Sequence, residues 1–158
     1  MPDLKPILIA SDHAGIELKA AIQKRLSDWK WLDLGPQDAA RVDYPDYAQK
    51  VSERISSGQA ERGILICGSG IGMCIAANKF PKIRAALVEN LSAAKLAREH
   101  NDANILCLGA RYLAPEYATE IALIWLTTPF SGEARHAGRI EKISALEFKN
   151  SNHGGHTS

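Results

Sequence analysis

The stretch GILICGSGIG, residues 63–72, decides the fold predicted for this chain. Residues 64–66 form a short apolar run rich in β-branched side chains, which is typical of a buried parallel strand. The run ends at Cys67, three glycines follow at alternate positions, and residues 73–79 have the pattern of a helix. A strand that turns through glycines into a helix aims backbone N–H groups and the positive end of the helix dipole at one point.

Cys67 lies where this strand is predicted to end, facing that group of N–H donors. Electropositive surroundings of this kind favour the thiolate form of a cysteine, and glycines let a ligand approach the backbone closely. Cys74 and Cys107 lie within other apolar runs and are predicted to be small buried side chains. The sequence therefore predicts an anion site beside a nucleophile or a base.

Composition restricts the class of protein. A chain of 158 residues with 46% hydrophobic content is expected to form one compact domain. A net charge of +1 argues against nucleic acid or an anionic membrane as a partner. No apolar run approaches the roughly 20 residues of a membrane span, and residues 1–6 do not resemble a signal peptide. Three cysteines without a C-x-x-C pair indicate neither a disulfide framework nor a zinc knuckle, so a reducing cytoplasm is the expected setting.

Strands and helices alternate along the chain. Strands are predicted over residues 7–10, 31–34, 64–67, 84–88 and 104–108. Helices are predicted over residues 16–29, 46–57, 73–79, 92–100 (with Ser92 as cap), 115–126 and 132–149. This alternation predicts an α/β fold of three layers, Rossmann-like, with a mainly parallel five-stranded sheet in a single domain of residues 1–150. Residues 151–158 are expected to form a flexible polar tail.

The carboxyl ends of parallel strands are where such folds bind ligands, which gathers Asp12, His13, residues 67–72 and Arg111 at one edge. Known glycine loops fit this edge poorly. A G-x-G-x-x-G loop needs glycine where Met73 stands and should follow the first strand. Glu89 nevertheless closes the next strand as a ribose-binding acid would, so a nucleotide stays open. A Walker loop lacks its G-K-[ST], and a C-x5-R phosphatase loop lacks its arginine.

Six motifs occur in order along the chain: D-H-A-G from Asp12, D-Y-P from Asp43, C-G-S-G-I-G from Cys67, A-A-N-K from Ala76, H-N-D from His100 and G-A-R from Gly109. Together they resemble the ribose/galactose phosphate isomerase family, and within it the type B ribose-5-phosphate isomerases. The resemblance runs from residue 7 to about residue 143. Ser69 stands where threonine is common in the family, which keeps the hydroxyl, and Ser11 stands where cysteine is often found.

The resemblance implies an aldose–ketose isomerisation through an enediolate, as in the pentose phosphate pathway. It implies that Cys67 is the base, that His100 opens the sugar ring, and that Ser69 adds a hydroxyl to the thiolate or to a sugar oxygen. The residues it implies in substrate binding are Asp12, His13, Tyr44, Gly68, Gly70, Ile71, Gly72, Asn101, Arg111, Arg135 and Arg139. The arginines would bind phosphate, because a guanidinium matches phosphate with paired donors.

Simpler interpretations of these residues stay open. Ser69 is also a candidate helix cap, His100 a C-terminal cap favoured by the helix dipole, and Tyr44 a residue that stiffens its loop. Arg135 and Arg139 lie one helical turn apart in a stretch charged enough to be a solvated face. His136, between them, is left undecided.

No metal and no cofactor is expected. The family's sites lie between two subunits, so the resemblance implies a homodimer, with pairing of dimers into a tetramer left open. Three functions are compatible with the sequence: a phosphopentose isomerase, an isomerase of a hexose 6-phosphate such as allose or galactose 6-phosphate, and a non-catalytic nucleotide- or phosphosugar-binding module. The first is favoured, since the galactose enzymes resemble paired unlike subunits that divide between them the features carried here by Cys67 and His100.

Overall fold

The computed structural model describes residues 4–151. Its strands are β1 (Ile7–Ser11), β2 (Trp31–Asp33), β3 (Gly63–Cys67), β4 (Ala85–Leu87) and β5 (Ile105–Gly109). Its α-helices are α1 (Ile16–Arg25), α2 (Tyr44–Ser56), α3 (Ile71–Ala77), α4 (Leu91–Glu99), α5 (Pro115–Thr127) and α6 (Ala134–Ser151). A short 3-10 helix, His13–Gly15, precedes α1. No helix within residues 4–151 is both long and apolar enough to cross a membrane.

The five strands form one parallel sheet in the order β2-β1-β3-β5-β4. β3 lies at its centre between β1 and β5, and all five of its residues are buried. Side chains alternate between the two faces of a strand, so β3 contributes to two cores. Ile64 and Ile66 pack in a core with α1, α4 and α5, whereas Leu65 and Cys67 pack in a core with α2 and α3. The predicted three-layer α/β fold is confirmed.

Helix boundaries differ from the prediction where local caps decide them. α1 ends at Arg25 rather than at residue 29, because the backbone turns at Leu26 (φ −111°, ψ 47°) and the Leu26 carbonyl accepts the indole N–H of Trp31 at 2.9 Å. α4 is capped by Asn90, whose Oδ1 accepts the Ala93 N–H at 2.8 Å; the prediction of Ser92 as cap was wrong.

α2 and α3 each begin two residues earlier than predicted, at Tyr44 and Ile71. In α2 the early start follows from Pro45, since proline is favoured in a first helical turn, where its missing N–H is not needed. Of the predicted flexible tail, Ser151 is the last residue of α6, and residues 152–158 lie outside the described residues.

Helix α6 differs from the other helices in its packing. Within the described part of the chain, none of its residues belongs to either hydrophobic core. It carries Ile143 and Leu146, about one helical turn apart, which are 44% and 55% exposed. Its first turn contacts the end of α4, and Glu147 accepts the Lys82 N–H at 2.9 Å near its other end. α6 therefore presents a small apolar surface, Ile143 and Leu146, that is about half exposed in the single chain.

Candidate active site

The loop between β3 and α3 is built around a glycine that tolerates no side chain. Gly70 has φ +77°, a conformation that side-chain-bearing residues rarely adopt. A Cβ there would lie 2.7 Å from Leu87 Cδ1 and 2.9 Å from the Leu108 carbonyl carbon. The Gly70 N–H donates to Cys67 Sγ at 3.1 Å. The turn thus directs a backbone donor at the sulfur of Cys67, which is 4% exposed.

Replacing Gly70 with alanine should destabilise the fold by about 2–4 kcal/mol, since the left-handed backbone and the collision with Leu108 both add to the cost. Gly58→Ala is the matched control, because Gly58 has φ +82° but no atom within 4 Å of the added carbon. It should cost about 1 kcal/mol. Urea unfolding at fixed protein concentration measures both, and equal losses in the two variants would contradict this packing of the loop.

Ser69 serves the loop itself. Its Oγ accepts the Ile71 N–H at 3.2 Å within the turn, but the N-cap of α3 is Gly70, so the alternative of Ser69 as the helix cap was wrong. An oxygen that accepts a backbone N–H still has its own O–H to donate. Ser69 is partly exposed, so the hydroxyl proton remains available to a bound ligand.

The turn that follows β5 packs directly on the glycine loop. The Arg111 N–H donates to the Gly68 carbonyl, and the Ala110 N–H to the Cys67 carbonyl, both at 2.9 Å. A Cβ on Gly68 would lie 3.0 Å from Cζ of Arg111, so the guanidinium covers the loop backbone. A Cβ on Gly109 would lie 2.6 Å from the Ser69 carbonyl oxygen. The G-A-R motif therefore places a cation over Gly68, the residue that follows Cys67.

The first strand and the start of α2 complete this edge. Asp12 is 7% exposed; its N–H donates to the Ile66 carbonyl at 3.0 Å and its Oδ1 accepts the Ala14 N–H at 2.9 Å. His13 Nδ1 accepts the Val42 N–H at 3.3 Å, which leaves Nε2 as the ring's N–H donor when the imidazole is neutral. The Tyr44 ring covers Gly72, where a Cβ would lie 2.5 Å from its Cζ.

A depression of about 450 Å³ runs along this edge, lined by Asp12, His13, Arg41, Val42, Asp43, Tyr44, Pro45 and Asp46. Sequence reasoning missed Arg41, an exposed cation beside His13. Its only signal was its place two residues before the D-Y-P motif. We call Asp12, His13, Tyr44, residues 67–72 and Arg111 the thiol half-site.

A second group of predicted residues gathers around the end of α4. His100 is the C-terminal cap of α4, and its ring lies against that of His136, with centroids 4.2 Å apart and planes tilted by 30°. His136 is 3% exposed, and its Nδ1 is 2.7 Å from Ser131 Oγ. Burial lowers the pKa of His136, and the neighbouring His100 lowers it further. This buried imidazole, left undecided by the sequence, thus supports the ring of His100.

Arg135 and Arg139 extend from the same first turns of α6, and both are exposed. Arg135 Nε donates to Glu133 Oε2 at 2.7 Å, and this contact lowers the pKa of Glu133. We call His100, Asn101, Arg135 and Arg139 the histidine half-site. Arg135 is paired with Glu133 in the single chain, so an anion that binds Arg135 there has to replace the Glu133 carboxylate.

The two half-sites lie at opposite ends of the strands: the thiol half-site at their carboxyl ends and the histidine half-site at their amino ends. In the register of β3 with β5, Cys67 pairs with Gly109, while Gly63 pairs with Ile105. Four residues of strand, roughly 13 Å, separate those pairs. His100 belongs to the Ile105 edge, because the Gly63 N–H donates to the Asn104 carbonyl at 2.9 Å and Arg84, just before β4, donates to the Asn101 carbonyl at 3.0 Å. One chain therefore does not bring Cys67 and His100 together.

Among residues 4–151, no group of three or more His, Cys, Asp or Glu side chains is arranged to hold a metal ion. A cavity of about 750 Å³ lies at the amino edge of the sheet. It is remote from Cys67, and its arginines, Arg62, Arg84 and Arg98, donate to backbone carbonyls of the chain itself.

Comparison with known proteins identifies the family. The family model described as Ribose/Galactose Isomerase matches residues 7–143. A putative sugar phosphate isomerase of Bacillus subtilis, YwlF, is 50% identical over 147 residues, covering 91% of this chain and 98% of its own length. Ribose-5-phosphate isomerase B of Escherichia coli is 40% identical over 146 residues, covering 91% and 97%.

Solved structures of the same kind are similar throughout. The type B ribose 5-phosphate isomerase of Trypanosoma brucei has a TM-score of 0.87 at 46% identity, with 90% of this chain and 99% of that chain covered. Ribose-5-phosphate isomerase B of Mycoplasma genitalium with bound ribulose-5-phosphate has a TM-score of 0.85 at 42% identity, with 90% and 95% covered. Fold and site define a parallel α/β protein of the sugar isomerase class. The chain belongs to the Ribose/Galactose Isomerase family, as its motifs predicted.

Proposed function

We propose that this protein interconverts ribose 5-phosphate and ribulose 5-phosphate without a cofactor. The observation that carries the proposal is the thiol of Cys67, which accepts a backbone N–H at the end of β3 beside the first turn of α3. The relative of known structure that binds ribulose-5-phosphate supports the choice of substrate. The presence of both Cys67 and His100 in one chain favours a pentose phosphate over a hexose 6-phosphate.

Cys67 supplies the base. As a thiolate it removes the proton from C2 of the open-chain aldose, and the electron pair left behind forms the C1–C2 enediolate as the carbonyl oxygen at C1 takes up negative charge. A proton passes from the C2 hydroxyl to O1, and the Cys67 thiol then returns the carbon-bound proton to C1, which gives the ketose with its C2 carbonyl and restores the thiolate. The Gly70 N–H holds the sulfur, while the N–H of Gly72, in the first turn of α3, has no acceptor within its helix. Such donors to a developing oxyanion are worth about 3–4 kcal/mol each.

His100 opens the furanose ring by protonating its oxygen, and Asn101 binds a sugar hydroxyl or the enediolate. A histidine suits this step because it exchanges protons near neutral pH. Since Cys67 and His100 of one chain lie at opposite edges of the sheet, we propose that each site combines the thiol half-site of one subunit with the histidine half-site of another. The half-exposed Ile143 and Leu146 of α6 support this homodimer, because a second chain would cover them.

Phosphate binds between the same two subunits. Arg135 and Arg139 come from one chain, and His13 and Arg111 come from its partner's copy of the thiol half-site. The Nε2–H of His13 and the guanidinium groups supply donors to the phosphate oxygens. We also propose a cytoplasmic setting within the pentose phosphate pathway, since Cys67 must stay a free thiol for this chemistry.

A coupled assay tests the function directly. The purified protein should convert ribose 5-phosphate to ribulose 5-phosphate with no added metal or nucleotide. Allose 6-phosphate and galactose 6-phosphate are measured in parallel at equal concentration. Turnover of a hexose 6-phosphate with none of ribose 5-phosphate would overturn the substrate assignment, and binding without turnover of any of them would indicate a non-catalytic module.

Loss of Arg139 tests the phosphate contact. Arg139→Ala should lower kcat/KM for ribose 5-phosphate by about 10- to 150-fold, because a charge-assisted hydrogen bond contributes about 1.5–3 kcal/mol. Inorganic phosphate should also become a weaker inhibitor. Lys142→Ala, which removes an exposed cation about one turn further along α6, is the control and should leave both constants near those of the wild type. Equal effects of the two substitutions would assign Arg139 to a solvated face.

A further inference from the structure

The three residues that follow His100 are held by two arginines from different elements. Arg84, just before β4, donates from Nε to the Asn101 carbonyl at 3.0 Å and from Nη2 to the Asp102 carbonyl at 2.9 Å. Arg98, in α4, donates from Nη1 to the Ala103 carbonyl at 2.7 Å. Every backbone carbonyl from Asn101 to Ala103 is therefore bound by a guanidinium.

The carboxylate of Asp102 is shared between the same two arginines. Oδ1 is 2.8 Å from Arg98 Nη1, and Oδ2 is 3.4 Å from Arg84 Nη2. The side chains of Arg98 and Arg84 are only 11% and 22% exposed, against 38% for Asp102. Solvent therefore reaches these ion pairs mainly from the side of the aspartate. Partial burial makes such pairs less sensitive to screening than surface ion pairs.

Asp102 also has an uncommon backbone conformation. Its φ is +45°, in the left-handed region that helix C-termini usually fill with glycine. Its N–H donates to the Arg98 carbonyl at 3.2 Å, and the next N–H, of Ala103, donates to the Ala97 carbonyl at 2.9 Å. Glycine would adopt this backbone conformation at a lower cost than aspartate. Aspartate, however, provides the carboxylate that binds both arginines.

We propose that Asp102, Arg84 and Arg98 are positioning residues for His100 and Asn101. By fixing the peptide groups from residue 101 to 103, they set the direction in which the imidazole and the amide project toward the other subunit's thiol. The proposal rests on the function proposed above for His100. Positioning of this kind matters because a displacement of about 1 Å in a reacting group can cost about 100-fold in rate.

The same contacts would form if these residues only held α4 against β4 and stabilised the fold. The test must therefore separate an effect on the position of His100 from an effect on the stability of the protein. Arg62 provides the matched control. It lines the same cavity, donates to the Leu126 carbonyl at 2.8 Å and lies over the Trp125 ring. None of its described hydrogen bonds reaches residues 101–103. Arg62→Ala should therefore lower the melting temperature and leave kcat unchanged.

Asp102→Gly is the principal variant, because glycine accepts the left-handed backbone while the carboxylate is lost. We expect kcat for ribose 5-phosphate to fall about 10- to 100-fold, with KM little changed because the phosphate contacts remain. Gel filtration and thermal melting should show an intact dimer of near wild-type stability. An aldopentose 5-phosphate without its 4-hydroxyl cannot close a furanose, so it needs no ring opening and its turnover should fall less.

Arg84→Lys is measured alongside, since lysine keeps the charge but cannot bind two carbonyls and the carboxylate from a planar fork. It should show the same selective loss of kcat even if Asp102→Gly does not fold. Wild-type kcat in a folded Asp102→Gly or Arg84→Lys protein overturns the proposal, as does an equal loss of kcat in Arg62→Ala. His100→Asn separates this result from the function itself: if His100→Asn is impaired and the clamp variants are not, only the positioning inference is wrong.

Discussion

Cys67→Ser should lower kcat for ribose 5-phosphate by about 10²- to 10⁴-fold, the range expected for loss of a general base. A serine hydroxyl is far less acidic than a thiol and does not reach the anionic form near neutral pH. The fold should survive, because the oxygen can accept the Gly70 N–H that now donates to Cys67 Sγ. The coupled assay measures turnover, and binding of an unreactive pentitol 5-phosphate by calorimetry should change little.

Chemical modification gives an independent measure, provided that a second thiol is removed first. A hydrogen bond with Cys107 lowers the pKa of Cys74 to about 7, so Cys74 forms thiolate as the pH rises through neutrality and competes for iodoacetamide. Burial raises the pKa of Cys107, which keeps it protonated. In a Cys74→Ser background, alkylation of Cys67 should track inactivation, and substrate should protect. Inactivation with Cys67 unlabelled would show that the base lies elsewhere.

The centre of the fold was predictable because several local signals agree there. The apolar run of β3, the glycines after it and the small residues of α3 all predict one strand–turn–helix unit. In the structure Gly70 lies against the Leu108 backbone, whereas Gly68 and Gly72 lie under the side chains of Arg111 and Tyr44. Helix ends were less predictable, because Asn90 and Ser92 are both good caps and only the backbone geometry selects Asn90.

The arrangement of the site was predictable only in part. Residues that follow strands were assigned to one edge by a general rule, and they do lie together. His100 follows a helix, so the same rule said nothing about it. His136 lies among charged residues at the start of α6 with no sequence signal of burial, yet it is 3% exposed. Its burial depends on the loop at Ser131 folding back on α4, where the Ser131 N–H donates to the Glu99 carbonyl at 3.1 Å.

Mixing two inactive variants should restore activity if the half-sites come from different subunits. Cys67→Ser and His100→Asn proteins are combined under conditions that exchange subunits. In a mixed dimer one site carries both substitutions, while the other joins the intact Cys67 of one chain to the intact His100 of the other. Random exchange makes about half of the dimers mixed, so about a quarter of wild-type activity should return. The recovery is measured against either variant alone.

A mixture of two variants that are altered in the same half-site is the control for this experiment. Arg111 covers Gly68 beside Cys67, so Cys67→Ser mixed with Arg111→Ala leaves every site with one defect and should recover nothing. Cys67→Ser mixed with Arg135→Ala should behave like the His100→Asn mixture, because Arg135 belongs to the helix whose His136 supports His100.

Subunit exchange is verified by mass spectrometry of the mixed dimers. If exchange is complete and the His100→Asn mixture stays inactive, the two half-sites do not meet across a subunit interface. Recovery by both the Arg111→Ala and the His100→Asn mixtures would instead place Arg111 with the histidine half-site, against its contact with Gly68.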